Sequence, residues 1–204
     1  MKVFFKSVVV VLLLAASAYS SAESLLKLQQ LLESIQSFKA GFTQQTLDNF
    51  GQAKQTIKGH MLVKKPGFLR WQTEGDYAQL VIADGSSIWI YDEDLENVTI
   101  KPMGKEMSET PALLLSGNVE SIAKDFEVSL QGNEYTLTPK DSSQLFDRLI
   151  LEFNQQSLVR MAISDASGLT TEITFSAVET NPDIKNSMFV FDAPQGVDII
   201  DSRP

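Results

Sequence analysis

The chain has 204 residues, with 17 Lys and Arg against 26 Asp and Glu, a net charge of −9 and no cysteine. Disulfides and cysteine-held metals are excluded outright. An acidic surface of this size repels phosphate backbones, so nucleic acid is excluded as a partner.

Lys2 and Lys6 precede an unbroken apolar run from Val8 to Ala16, and small residues continue to Ala22. A basic head, a short hydrophobic middle and a small-x-small site form a secretory signal peptide, and the run is too short for a comfortable membrane anchor. Ser20-Ser21-Ala22 is the preferred site, which makes residues 1–22 the leader and 23–204 the mature domain; Ala16-Ser17-Ala18 is the alternative. The leader carries two lysines and no acids, so cleavage takes the charge from −9 to −11. Without a cysteine the mature N-terminus cannot be lipidated as in a bacterial lipoprotein. No later segment approaches a membrane span in length, so a soluble protein is expected.

From Ser24, placed as an N-cap, Leu25, Leu28, Leu32 and Ile35 keep helical spacing, widened by Leu31 and Phe38. Beyond Phe38 the period falls to two. Phe126, Val128 and Leu130 form one alternating apolar set, Val159, Met161 and Ile163 a second, and Ile173, Phe175 and Ala177 a third. Pro66-Gly67, Asp84-Gly85, Gly132-Asn133 and Ser167-Gly168 mark hairpin turns. With no strand-helix-strand crossover in the pattern, a mostly antiparallel meander is expected. It is interrupted once. Thr110-Pro111 through Ser116-Gly117 reads as a short helix, and a second begins at a cap on Asn118.

Three modest helices are too little to fill a long curved sheet, and a sheet so lidded encloses a ligand cavity. The chemistry of a catalytic site is missing. His60, the only histidine, lies in a strand-like run with its side chain expected on the wet face, and no Gly-x-Ser-x-Gly elbow accompanies it. Asp92, Glu93, Asp94 and Glu96 lack the glycine and terminal glutamate of a calcium loop and read as a solvated turn. Gly85-Ser86-Ser87 reads as a hairpin turn rather than a phosphate loop.

Phe42-Thr43-Gln44, Lys64-Lys65-Pro66-Gly67-Phe68-Leu69-Arg70-Trp71, the run from Asp84 to Asp92, Thr110-Pro111 and the closing Pro194-Gln195-Gly196-Val197 follow one another in a telling order. In these blocks the chain resembles the periplasmic outer-membrane lipoprotein carrier family, over essentially the whole mature length. The resemblance implies a mainly β fold with a helical lid (α+β), an unclosed antiparallel β-barrel over a hydrophobic cavity. It implies a monomeric, cofactor-free, non-enzymatic periplasmic chaperone for acylated lipoprotein cargo. The cargo comes from an inner-membrane lipoprotein-releasing ABC transporter and goes to an outer-membrane lipoprotein receptor. The family commonly has arginine before the proline of the Lys-x-Pro block, where it holds carbonyls of the lid helices; here Lys65 stands there, so a looser latch is expected.

If the strand through this block is unbroken, parity puts Lys65, Leu69 and Trp71 on one face. Leu69, Trp71, Met161, Ile163 and Phe175 are candidate cavity walls, and Leu113, Leu114 and Leu115 candidate lid residues. Trp89 is a candidate whose face is left open by the continuous apolar run Ile88-Trp89-Ile90-Tyr91. A periplasmic lipid- or lipoprotein-sensing regulator on the same half-barrel is the alternative function, although such proteins usually carry a further domain. A periplasmic esterase or glycosidase would need a nucleophile or carboxylate pair that the sequence does not supply.

Overall fold

The computed structural model describes residues 21–76, 78–103, 111–117, 119–141 and 146–203. The alternative cleavage motif Ala16-Ser17-Ala18, Ser20 of the preferred one, Thr110 and the proposed cap Asn118 lie outside them. Residues 21–34 form helix α1. Six strands follow: β1 (Ser37–Leu47), β2 (Ala53–Lys64), β3 (Phe68–Thr73), β4 (Gln79–Asp84), β5 (Ser87–Asp92) and β6 (Asn97–Pro102). The interruption holds a 3-10 helix, Pro111–Leu115, and helix α2, Glu120–Asp125. Then come β7 (Phe126–Gln131), β8 (Glu134–Pro139), β9 (Arg148–Asn154), β10 (Ser157–Ser164) and β11 (Thr170–Thr180). A short 3-10 turn, Asn186–Phe189, leads to β12 (Asp198–Asp201).

All twelve strands belong to one sheet in the order β12-β6-β5-β4-β3-β2-β1-β11-β10-β9-β8-β7. Hairpins build each half, and the long-range antiparallel pairing of β1 with β11 joins them. The exception is β12, which pairs parallel to β6. Because β7 and β12 are separate edges, the sheet is an unclosed barrel. No helix among the described residues is long and apolar enough to cross a membrane.

The helical stripe has its physical counterpart. Leu28, Leu32 and Ile35 are buried against the concave face, with Leu25 and Leu31 partly buried beside them. Ser24 is not the cap: the chain is already helical at Ser21, and Ser24 is a buried residue inside α1. The N-cap of α2 is Val119, which makes no side-chain capping bond.

Two bulges correct the parity readings. The β9–β10 register shifts between Leu158 and Arg160, so Leu158 rather than Val159 joins the core alongside Met161. The β1–β11 register shifts opposite Lys39 and Gly41, where Ala177 takes a φ of +48°. Ala177 is thereby exposed and Val178 packs inward. An extra residue in one strand switches faces downstream, which a strict period of two cannot anticipate.

The sheet has a second, smaller core on its convex side. Residues after Asn181 run back over β2–β5, where Ile184 and Phe189 bury against Ile82, with Leu62, Phe68, Leu80, Trp89 and Phe191 packed around them. These strands are therefore covered on both faces. That is why β4 and β5 read as continuous apolar runs instead of alternating.

Candidate functional site

The concave face of the sheet, α1, the 3-10 helix and α2 bury one continuous apolar cluster. Leu69 and Met161 are fully buried in it, Phe175 is buried with its ring edge-on to Phe38 at 5.4 Å, and Ile163 packs at its margin. From the lid side Leu113, Leu114 and Leu115 enter it at 1, 4 and 2% exposure. Trp71 is half-buried and stacked on Phe42, with ring centroids 3.9 Å apart and planes 25° from parallel.

Trp89 does not join this interior. Alternation along β5 sends Ile88 and Ile90 to the concave core and Trp89 to the convex one. There its Nε1 donates to Asp84 Oδ2 at 2.9 Å, Phe191 lies beside it, and the Arg203 guanidinium sits 5.3 Å above the ring.

Lys65 is not in a strand either. Residues 65–67 form the β2–β3 turn, and the turn touches both parts of the lid. Lys65 Nζ donates to the Leu32 carbonyl of α1 at 2.6 Å, and Lys65 N–H donates to Gln36 O at 2.9 Å. Gly67 N–H donates to Ser116 O, just after the 3-10 helix, also at 2.9 Å. Gly67 has a φ of +78°, a conformation natural to glycine. The lid is also braced internally, Gln29 Nε2 donating to Val119 O at 3.1 Å. Burial draws the Lys65 ammonium below its ordinary pKa, against the opposing field of Glu33.

The interior's chemistry is one of solubility. Among the described residues the buried polar residues are Ser24, Ser37, Thr73, Ser87 and Ser116, with Tyr135; no residue bearing a carboxylate, amine, guanidinium or imidazole is among them. A lining of this kind makes the contacts that alkyl chains make. His60 is exposed on β2, with Nδ1 2.9 Å from Glu74 Oε1. Residues 93–96 form an exposed turn, in which Asp92 Oδ1 accepts the Leu95 N–H. No metal-holding group of three His, Cys, Asp or Glu occurs among the described residues.

Sequence reasoning missed Phe42 and Leu158 as members of the interior, and the whole convex core, and it put Phe38 on the helical stripe, whereas Phe38 lies in β1. The signal for the latter was present in the unalternating runs of β4 and β5.

Residues 33–192 match the family model described as Outer membrane lipoprotein carrier protein LolA. A protein of Chromohalobacter salexigens named outer-membrane lipoprotein carrier protein is 41% identical over 178 residues, covering 85% of each chain. One of the same name from Pseudomonas entomophila is 40% identical over 190 residues, 91% of this chain and 92% of its own. Among solved structures, an uncharacterised conserved protein of Thermus thermophilus superposes with a TM-score of 0.55 at 9% identity, over 89% of this chain and 99% of that one, a likeness of fold alone.

Proposed function

The chain belongs to the outer membrane lipoprotein carrier protein LolA family, and from that premise we propose that it carries acylated lipoproteins through the periplasm as a soluble chaperone. Its mature form begins at Glu23. It takes cargo from an inner-membrane ATP-driven release transporter, shields the acyl chains between lid and sheet, and passes them to an outer-membrane receptor. It binds and does not catalyse.

The observation that carries this reading is the single apolar cluster shared by the helical lid and an unclosed sheet. Each methylene removed from water is worth about 0.8 kcal/mol, so an acyl chain of about 16 carbons would cost on the order of 12 kcal/mol to expose. Free diffusion between membranes is thereby forbidden. A carrier must replace those contacts without binding so tightly that delivery stops. The lid leucines meet this need, because they occupy the concave face with contacts of the kind an acyl chain makes. Loading then exchanges one set of apolar contacts for another.

Spheroplasts expressing an outer-membrane lipoprotein, incubated with the purified protein, test the reading. A soluble equimolar complex with triacylated cargo, absent when the lipid is removed, is the expected result. No soluble complex despite a working release transporter would overturn it in favour of a lipid-sensing regulator.

A further inference from the structure

Gly59 on β2 lies opposite Phe42 on β1 and Thr73 on β3. A Cβ at this glycine would stand 2.4 Å from Phe42 Cζ and 2.1 Å from the Gln72 carbonyl oxygen. The Phe42 ring thus occupies the space a side chain at 59 would need. By crossing β2 there it reaches Trp71 on β3 and stacks on it.

This pair separates two environments. On one side is the closed interior, where Phe42 contributes a side chain 3% exposed next to fully buried Met61, Val63 and Leu69. On the other is an open pocket of about 440 Å³, lined by Ile57, Trp71 and Leu95 and by three aspartates, Asp76, Asp92 and Asp94, among others. Trp71 belongs to both, packing on the core and lining the pocket. The pocket lies at the end of β3 marked by Thr73, whereas the latch turn 65–67 lies at the other end of the same strand.

We propose that the Phe42–Trp71 stack is the gate through which an acyl chain passes between the open pocket and the interior, with Gly59 as the positioning residue that lets the gate lie shut. This rests on the carrier reading. Besides Gln44 and Thr73 the pocket carries the carboxylates of Asp76, Asp92 and Asp94, so it stays hydrated and a polar head stays wet while the tail crosses. Offset rings are held by a modest attraction beyond their buried area, and alkyl contact with both ring faces replaces it once a tail is inserted.

The test is stopped-flow uptake and release of cis-parinaric acid, an acyl chain that fluoresces in apolar surroundings. It compares the unsubstituted protein with Phe42→Leu, Trp71→Leu and the wall variant Leu69→Ala, each checked for fold by circular dichroism. A gate predicts that Phe42→Leu and Trp71→Leu speed uptake and release alike by about tenfold, the rate equivalent of one lost aromatic pair, with Kd unchanged within about threefold. Leu69→Ala should change Kd through release alone. If the two aromatic variants weaken Kd while uptake keeps its rate, the pair is a wall and the gate is overturned; unchanged rates overturn it equally. If the unsubstituted protein takes up no cis-parinaric acid, the carrier reading falls and the gate with it.

Discussion

Replacing Lys65 by alanine removes one of the hydrogen bonds that tie the lid to the β2–β3 turn. The bond from Nζ to Leu32 O spans 2.6 Å, and a hydrogen bond to a charged group contributes about 1.5–3 kcal/mol. Lys65 is only half-buried, so solvent screening reduces this to about 1–1.5 kcal/mol. The backbone bonds from Lys65 N–H to Gln36 O and from Gly67 N–H to Ser116 O do not depend on the side chain and remain. The lid should therefore stay mostly closed while its open population rises about 5–10-fold. Amide exchange in the last turns of α1 should accelerate by that factor, and bound lipoprotein should dissociate correspondingly faster. Lys65→Arg should act in the opposite direction, because a planar guanidinium can engage more than one carbonyl at once. Unchanged α1 exchange together with unchanged cargo retention in Lys65→Ala would refute the latch.

Gly59→Ala drives a Cβ against the Gln72 carbonyl and the Phe42 ring, and since the carbonyl belongs to a paired strand, the expected cost is about 2 kcal/mol and a Tm lower by about 4–8 °C in calorimetry. Burial pushes the Asp84 carboxyl up, but hydrogen bonds from Trp89, Ser86 and Ser87 outweigh it and leave the pKa below the ordinary value. A depressed folded pKa means that stability is complete above the unfolded value of about 3.9 and is lost as pH falls through the folded one. Trp89 emission should hence be flat from about pH 7 to 5 and change only below about pH 4, and a transition centred above that would contradict the assignment. Arg160 joins Glu134, Glu152 and Glu172 across four adjacent strands. Arg160→Met should lower stability in urea by about 1–2 kcal/mol, with the deficit shrinking in about 1 M salt; a deficit indifferent to salt would show that packing, not charge, is lost.

Much of this protein is written in local patterns. The stripe of Leu28, Leu32 and Ile35 specifies α1 because three- and four-residue spacings meet on one helical face. The turns at Gly67, Gly85, Gly132 and Gly168 follow from glycine at positive φ. The absence of cysteine excludes disulfides and cysteine-held metals at the level of composition. The candidate walls Leu69, Met161, Ile163 and Phe175, and the lid leucines, could be named from apolar alternation and order along the chain. What they could not reveal is which face an apolar residue takes when both are covered. Trp89 and Ile90 are adjacent and equally apolar, and only the return of the chain after Asn181 makes one convex and the other concave. The bulges at Leu158–Arg160 and opposite Lys39–Gly41 arise from pairing between strands, so no single strand announces them. Lys65 reaches Leu32, and Phe42 reaches Trp71 over Gly59, because the sheet's curvature brings distant segments together. Periodicity specifies what each segment can bury, and the register and curvature of the assembled sheet decide against what it is buried.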